Sequence, residues 1–211
     1  MNEQLSQYLD RHSTPPSEVL KELYRQTYLR TVYPRMASGP LQGKFLEFIT
    51  HMIKPDKILE IGTFTGYSAI SLCAGLSKTG TVTSIENNEE LEPLIRQFFF
   101  KSGLMDRIDL IIGDAKEIIP TLNEEYDLIF LDAGKDAYPL YYPMLIKKLK
   151  LGGFLLADNV LWGMKVLDEK ANDSETLGIQ TFNRMVAEDV NVEQVMLPLR
   201  DGLFLIRKIA E

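Results

Sequence analysis

The feature that most constrains the fold is the stretch 57–68, KILEIGTFTGYS, in which a short apolar run meets two glycines and continues into a helix-like segment. The apolar run is typical of a buried parallel strand, and the residues from Gly66 onward are typical of a helix packed on it. Gly62 and Gly66 would let the backbone turn sharply and let a ligand approach the main chain. The stretch therefore predicts a ligand-binding turn, although a plain strand-to-helix connection shows the same pattern.

The composition is that of an ordinary globular protein without a membrane span. The chain has 211 residues, 45% of them hydrophobic and 25% charged, and no apolar run reaches the ~18 residues that span a bilayer. A formal net charge of -7 disfavours extended nucleic-acid binding. Because the polar N-terminal segment lacks an apolar signal region, we expect a cytoplasmic protein. Cys73 is the only cysteine, which excludes an intrachain disulfide and a cysteine-rich metal site.

Strand and helix patterns alternate along most of the chain. Predicted strands cover 58–61, 81–85, 108–112, 128–131, 154–157, 192–197 and 203–207. Predicted helices cover 3–12, 17–33, 41–53, 66–76, 89–101, 115–119, 137–149 and 175–188. Such alternation forms parallel βαβ units, so we expect an α/β fold with a doubly wound, mostly parallel seven-stranded sheet. The short PLRDG turn predicts a closing hairpin, which makes the last strand antiparallel.

The length fits a single hydrophobic core. We therefore predict one domain over residues 1–211, with N-terminal helices in 1–53 and an α/β core in 54–211. The longest predicted loop is 163–178, and loops of that length in compact domains are often lids or specificity elements.

Acidic residues mark the strand ends, where open α/β sheets bind their ligands. Glu60 lies in the first strand, Glu86 ends the second, and Asp114 and Ala115 follow the third. A carboxylate at Glu86 can accept both hydrogen bonds of a ribose diol, and the segment at Asp114 and Ala115 can flank an adenine. The acidic first turn and the lack of a third glycine to cradle a pyrophosphate favour S-adenosylmethionine over NAD.

A second group of polar residues follows the fourth and fifth predicted strands. Asp132 ends the fourth strand, and Asp158 with Asn159 ends the fifth. If those strands are neighbours, two carboxylates and an amide oxygen converge, which is costly unless a cation lies between them. All-oxygen ligands favour Mg²⁺, with Mn²⁺ or Ca²⁺ as alternatives. The other interpretation is an Asx turn at Asp158 and Asn159 without a metal.

From about Ser38 to the C-terminus, the chain resembles the cation-dependent class I O-methyltransferases of the catechol and caffeoyl-CoA type, which have a Rossmann-like fold. The resemblance rests on seven segments in the same order, namely ASGPLQGKFL, LEIGTFTGYS, IENN, GDA, FLDAGKDAY, ADNVLW and LPLRDGLFLIRK. It implies a divalent metal on Asp132, Asp158 and Asn159, catalysis by Lys135 as base beside Asp132, and a homodimer. The S-adenosylmethionine contacts that it implies are Ser38, Glu60, Gly62, Thr63, Ser68, Glu86 and Ala115. We also predict Asp114 and Asp132 as cofactor contacts.

The chemistry of a catechol agrees with these roles. A phenolate is a better nucleophile than a phenol, and chelation of two vicinal oxygens by a dication favours the ionised form. Lys135 lies three residues beyond Asp132 and is predicted to accept the proton if burial lowers its pKa. A solvated loop lysine, or an ion pair with Asp136, is the other interpretation. Trp162 is a candidate wall for an aromatic substrate or an ordinary packing residue.

The sequence departs from the plant members of this family in three places. Gly134 stands where they carry an acid, the loop after Gly163 differs from the segment that holds their acyl substrate, and Arg200 replaces a small residue. These differences leave the acceptor open. We predict an O-methyltransferase acting on a catechol-like small molecule. A tRNA hydroxyuridine O-methyltransferase and a non-catalytic binding protein are the alternatives, the first disfavoured by the acidic charge and the second by the complete set of Lys135 and metal-binding residues.

Overall fold

The computed structural model describes residues 3–211, which contain eight α-helices and seven β-strands. The helices are α1 (Glu3–His12), α2 (Glu18–Arg30), α3 (Gly39–Ile53), α4 (Tyr67–Leu72), α5 (Glu92–Lys101), α6 (Ala115–Thr121), α7 (Tyr138–Lys148) and α8 (Ser174–Glu188). The strands are β1 (Lys57–Ile61), β2 (Thr81–Glu86), β3 (Ile108–Ile112), β4 (Tyr126–Leu131), β5 (Leu149–Asp158), β6 (Val192–Leu197) and β7 (Leu203–Lys208). Short 3₁₀ helices cover Pro34–Met36, Cys73–Gly75, Glu89–Leu91, Lys135–Ala137 and Trp162–Leu167. None of the helices within 3–211 has the length and apolar character needed to cross a membrane.

The strands form one sheet in the order β3-β2-β1-β4-β5-β7-β6. The pairs β2 with β3, β1 with β4 and β4 with β5 are parallel, whereas β7 is antiparallel to both β5 and β6. Residues 58–61 and 128–131 are buried without alternation, as expected for interior strands of a parallel sheet. The predicted α/β fold, mostly parallel with an antiparallel last strand, is confirmed.

The described chain divides into two compact units. The first comprises the described residues up to Asp56 together with Thr63–Ile112, and the second comprises Lys57–Gly62 and Gly113–Glu211. In the first unit, α2 packs against α4 and α5, and α3 packs against α4. In the second unit, α7 packs against α8 and β5. The single domain expected from the sequence stays a prediction.

Three parallel strands of the second unit end at the same level. Ile61 pairs with Leu131, and Leu131 pairs with Ala157. Because parallel strands that are in register place equivalent residues side by side, the next residue of each strand lies at one edge of the sheet. These residues are Gly62, Asp132 and Asp158. The adjacency of β4 and β5, on which the predicted metal site depends, is therefore confirmed.

The helix predicted over 66–76 is shorter than expected because of a contact with α3. As an α-helix it ends at Leu72, and a 3₁₀ turn follows. A Cβ atom on Gly75 would lie 2.1 Å from the backbone of Thr50 and of His51. This approach of two backbones joins residues far apart in the chain, so a local pattern cannot reveal it.

Two further predicted boundaries were wrong in the second unit. The strand expected over 154–157 begins at Leu149, because the Gly152 and Gly153 pair that indicates a loop lies inside β5, beside a register shift in its pairing with β4. The predicted loop 163–178 is largely ordered, because Trp162–Leu167 forms a 3₁₀ segment and α8 begins at Ser174. Only 168–173 remains irregular.

Candidate active site

The turn after β1 is shaped by contact between backbones. Gly62 has φ +95°, and a Cβ atom on it would lie 2.1 Å from the carbonyl oxygen of Asp132. The amide of Asp132 donates a 2.9 Å hydrogen bond to the Ile61 carbonyl. The group that closely approaches Gly62 is therefore the main chain of Asp132, whereas the sequence pattern was interpreted as room for a ligand.

Glu86, at the end of β2, holds the glycine-rich turn of the first unit. Its Oε2 accepts a 2.7 Å hydrogen bond from the amide of Phe64, and its Oε1 accepts a 2.9 Å bond from the amide of Asn88. Burial raises the pKa of Glu86, and backbone hydrogen bonds, that of Asn88 first, oppose this rise. Backbone contacts with Asn87 and Thr63 act in the same direction, so the turn itself engages this carboxylate, and its contact with a ribose diol stays a prediction.

Hydroxyl groups join the same turn to the rest of the first unit. The hydroxyl of Thr63 is hydrogen-bonded to that of Ser84, and both side chains are buried. Thr27, on α2, donates to the Leu23 carbonyl at 2.9 Å and so accepts, also at 2.9 Å, from Thr65. Thr65 belongs to the glycine-rich turn, so α2, one of the N-terminal helices, supports this turn.

The other residues predicted to contact S-adenosylmethionine are mostly buried. In the first unit, Ser38 at the start of α3 and Ser68 in α4 are both buried. In the second unit, Glu60 is fully buried in β1 and Ala115 is buried at the start of α6. Asp114 is exposed and caps α6, because its carboxylate accepts a 2.9 Å hydrogen bond from the Lys116 amide.

A buried, hydrogen-bonded group surrounds Lys135 in the second unit. The Nζ atom of Lys135 lies 2.8 Å from Oδ1 of Asp132 and 2.9 Å from the hydroxyl of Tyr138. Lys135 is only 6% exposed. The solvated-lysine interpretation is therefore wrong, and the ion pair that forms is with Asp132 rather than with Asp136.

The environment of Lys135 affects its pKa in two opposite ways. Burial lowers the pKa of Lys135, whereas the charge of Asp132, the proximity of Tyr138 and the charge of Asp158 raise it. The net result is a pKa above the ordinary lysine value. In this state Lys135 is an ammonium, so burial alone does not make it a base. Because both aspartates act on one ammonium, the group carries more negative than positive charge.

The turn after β5 is strained and locally hydrogen-bonded. Asp158 is 2% exposed, and its Oδ1 accepts a 2.8 Å hydrogen bond from the amide of Asn159. That donor is one residue nearer than the donor of an Asx turn. Asn159 has φ +59°, in the left-handed region that asparagine tolerates better than most residues. The backbone here is constrained at the predicted metal-binding position.

The PLRDG turn between β6 and β7 supports the segment after Asn159. The amide of Leu161 donates to the Asp201 carbonyl at 2.9 Å, and the amide of Gly163 donates to the Asp201 carboxylate at 2.6 Å. Three consecutive left-handed residues follow, with Trp162 as the first. Among the described residues, the indole N–H of Trp162 is buried without a hydrogen-bond partner. The PLRDG turn therefore joins β6 and β7 as predicted and also supports the segment that follows Asn159.

Within residues 3–211, no three His, Cys, Asp or Glu side chains converge on a point that could hold a metal. The predicted set differs from such a cluster, because it consists of two carboxylates, Asp132 and Asp158, and the amide of Asn159. Oxygen donors of this kind suit a hard dication, and the excess of negative charge around Lys135 favours a further cation. The residues present therefore fit the predicted group.

The O-methyltransferase family model matches residues 10–209. The chain belongs to the O-methyltransferase family. It is 30% identical to a caffeoyl-CoA O-methyltransferase of Stellaria longipes, over 99% of this chain and 91% of that protein. It is 31% identical to a catechol O-methyltransferase of Niastella koreensis, over 79% of this chain and 77% of that protein. The SAH-bound methyltransferase PaMTH1 of Podospora anserina has a TM-score of 0.90 and 30% identity, with 99% of this chain and 97% of that chain covered.

Family membership confirms the resemblance seen in the sequence and makes methyl transfer to an oxygen the reaction class of this chain. Sequence reasoning nevertheless missed several supporting residues of this O-methyltransferase. Tyr138 was visible only as the last letter of FLDAGKDAY, and Thr27 only as a polar residue on a predicted helix. Gly178, inside α8, was a local signal of a close contact, because glycine is unfavourable inside a helix.

Replacing Gly178 with alanine is expected to lower both stability and methyl transfer. Alanine is favoured over glycine in a helix by about 1 kcal/mol. A Cβ atom at Gly178, however, would lie 2.4 Å from the Lys135 carbonyl oxygen and 2.7 Å from Cα of Asp136. Overpacking of this kind costs about 1–3 kcal/mol. Urea unfolding and initial rates of methyl transfer measure the two effects.

The exposed residue Thr181 on the same helix provides the control. Thr181→Ala gains helix propensity without a new contact, so we expect unchanged activity and equal or higher stability. If Gly178→Ala behaves in the same way as Thr181→Ala, the close approach of α8 to Lys135 does not constrain the site.

Proposed function

We propose that this protein transfers the methyl group of S-adenosylmethionine to one hydroxyl of a small molecule with two vicinal hydroxyls, in a reaction that requires a divalent cation. The observation that carries the proposal is the register of β4 and β5, which puts Asp132 and Asp158 side by side next to one buried ammonium. The relatives named for caffeoyl-CoA and catechol support an acceptor with vicinal hydroxyls.

We propose that Asp132, Asp158 and Asn159 hold the cation, with Mg²⁺ as the first candidate and Mn²⁺ or Ca²⁺ as alternatives. A dication at this position would lower the pKa of a catechol hydroxyl and fix both vicinal oxygens. Asp158 supplies a deeply buried carboxylate, and Asp132 a carboxylate that also pairs with Lys135. The strained backbone of Asn159 orients its amide.

Lys135 is proposed as the base. Its Nζ is held as an ammonium by Asp132, so it must first release a proton to solvent before it can accept one from the acceptor hydroxyl. A second positive charge on the carboxylates beside it would lower the pKa of Lys135 and favour that release. Its position beside Tyr138, at the end of β4, keeps the nitrogen in one place while the proton moves. In this proposal Asp132 has two roles, because it is a ligand of the cation and also the ion-pair partner of Lys135.

We also propose that the cofactor contacts predicted from the sequence apply to this chain. Two of them have support in the first unit, where Glu86 engages the glycine-rich turn and Thr63 is fixed by Ser84. The PaMTH1 structure, described as SAH-bound, supports the same cofactor class. The predicted residues are Ser38, Glu60, Gly62, Thr63, Ser68, Glu86, Asp114, Ala115 and Asp132.

Removal of divalent metal is expected to stop the reaction. The assay follows methyl transfer from S-adenosylmethionine to catechol, to a panel of substituted catechols and to caffeoyl-CoA. We expect product with at least one of these acceptors, no product after treatment with EDTA, and recovery when Mg²⁺ is added in excess. The reason is that the acceptor hydroxyl stays protonated at neutral pH when no cation stabilises its ionised form.

Two results of this assay would contradict the proposed function. Methyl transfer that is indifferent to EDTA rejects the metal assignment. Transfer to total tRNA from a strain that lacks this protein, with no transfer to any catechol, favours the tRNA alternative instead. A phenol with a single hydroxyl serves as the control acceptor, and we expect no reaction with it because it cannot chelate.

Two broader expectations remain proposals. The family resemblance implies a homodimer, which analytical ultracentrifugation of the purified chain measures directly. The cytoplasmic location expected from the N-terminal sequence likewise stays a prediction.

A further inference from the structure

One buried hydroxyl connects the ends of β4 and β5. Tyr138 is the first residue of α7, and its side chain is fully buried. Its oxygen lies 3.0 Å from the carbonyl oxygen of Leu131 and 3.1 Å from that of Asp158. Leu131 is the last residue of β4, and Asp158 is the last residue of β5. The hydroxyl thus contacts the main chain at the point where each strand presents its candidate metal-binding residue.

The same oxygen also contacts the buried ammonium. Nζ of Lys135 donates to the Tyr138 hydroxyl at 2.9 Å. A phenolic oxygen has one proton and accepting lone pairs, so Tyr138 accepts from Lys135 and shares its proton between the carbonyls of Leu131 and Asp158. The donor and acceptor capacities match the three partners, and all four groups are fixed relative to one another.

The ring of Tyr138 is itself held in place. It packs edge-on against Phe182 of α8, with ring centroids 5.2 Å apart and an interplanar angle of 82°. Phe182 is fully buried. Nζ of Lys135 also lies 4.9 Å from the Tyr138 ring centroid. Because the ring is fully buried in a close-packed interior, its contacts hold the hydroxyl in position relative to the strand ends and Lys135.

We propose that Tyr138 is a positioning residue that sets the distance between the Lys135 ammonium and the ends of β4 and β5, and thereby the geometry in which Asp132 and Asp158 bind a cation. The inference rests on the proposed function, since it concerns the same cation. Groups that orient metal ligands from behind commonly change metal affinity or activity by about 10–100-fold when they are removed. Tyr138 contacts neither the acceptor nor the cation in this role.

The chain offers a closely matched control. Tyr142 lies one turn further along α7, is buried, and packs edge-on against the same Phe182 ring at 5.6 Å and 83°. Its hydroxyl donates to the carboxylate of Asp189 at 2.8 Å, away from the strand ends. Tyr138→Phe and Tyr142→Phe therefore each remove one buried hydroxyl from the same helix, and only the first removes the link to Lys135.

The test measures both variants and the wild type in two ways. The first is the affinity for Mg²⁺ in the absence of any acceptor, followed by the fluorescence of Trp162, which is the only tryptophan and lies three residues after Asn159. The second is kcat and KM with the catechol that the wild type methylates fastest. For Tyr138→Phe we expect both Mg²⁺ affinity and kcat to fall by about 10–100-fold, with KM for S-adenosylmethionine unchanged. For Tyr142→Phe we expect a lower melting temperature with wild-type affinity and kcat.

Equal Mg²⁺ affinities and equal kcat values for the two variants would overturn the proposal, because Tyr138 would then be a packing residue like Tyr142. A loss of kcat in Tyr138→Phe that comes with an equal loss of S-adenosylmethionine affinity would also overturn it. A wild-type protein that shows no saturable response to Mg²⁺ contradicts the proposed metal instead. The positioning of Lys135 is then decided by the kcat ratio of the two variants alone.

Discussion

Replacement of Lys135 by alanine is expected to lower kcat for methyl transfer by about 10²–10⁴-fold, the usual contribution of a general base. The variant should still bind S-adenosylmethionine, because none of the predicted cofactor contacts is removed. It should also lose stability, since the side chains of Lys135 and Asp132 are only 7% and 15% exposed and the carboxylate loses its ammonium partner. Breaking a buried pair in this way costs about 3–5 kcal/mol. Steady-state kinetics measure the fall in kcat, isothermal titration with S-adenosylhomocysteine measures cofactor binding, and urea unfolding measures the loss of stability.

Two further variants distinguish the loss of a catalytic base from a general folding defect. Lys135→Arg keeps a positive charge beside Asp132, but arginine does not give up its proton in proteins, so we expect a folded and inactive enzyme. Lys208→Ala removes another buried lysine of the same unit, whose Nζ donates to the Leu149 carbonyl and pairs with Glu211. We expect Lys208→Ala to lose stability and keep its kcat. Full activity in Lys135→Arg would remove Lys135 from the role of base.

Replacement of Gly62 by alanine is expected to lower the free energy of unfolding by about 2–5 kcal/mol. About 1–2 kcal/mol comes from placing a non-glycine residue at positive φ, and about 1–3 kcal/mol from overpacking. The new methyl group would lie 2.1 Å from the carbonyl oxygen of Asp132, and a backbone atom cannot rotate away as a side chain can. Methyl transfer should fall as well, because relief of the clash moves Asp132. Urea unfolding monitored by circular dichroism measures the stability.

Gly103 provides the matched control for Gly62. It has a similarly positive φ of +70°, but apart from its two chain neighbours no atom of residues 3–211 lies within 4 Å of a Cβ atom built on it. Gly103→Ala should therefore show only the conformational cost of about 1–2 kcal/mol and full activity. If the two alanine variants lose the same stability, the contact between Gly62 and Asp132 contributes nothing, and the glycine is needed only for its backbone angle.

The order of strands and helices follows closely from local sequence patterns. The strands predicted over 108–112 and 192–197 agree with the structure residue for residue. Apolar periodicity and the glycine-rich turn are local properties, so they are visible without a fold. Predictions were wrong at two kinds of glycine. At Gly75, a close contact between backbones ends the helix predicted over 66–76 early, whereas Gly152 and Gly153 indicate a loop but lie inside β5.

In the candidate site, too, some features follow from local sequence and others depend on tertiary contacts. The residue types at the strand ends predict oxygen ligands, and the order of seven motifs gives the family, which the comparisons confirm. Sequence spacing also places Lys135 close to Asp132. It does not distinguish Asp132 from Asp136 as the ion-pair partner, because both are within three residues of Lys135. The structure decides for Asp132, because Lys135 points into the buried end of β4.

By itself, therefore, the sequence determined the α/β fold, the reaction class and the chemical types at the site, since each is encoded in residues that are near one another in the chain. Only the tertiary structure decided that β4 and β5 end in register, that the pKa of Lys135 is raised rather than lowered, and that Tyr138 connects both strand ends to that ammonium. These properties depend on burial and on hydrogen bonds between residues such as Tyr138 and Asp158, which are 20 positions apart. No local pattern records such a contact, because its free energy arises only when folding removes water from both groups.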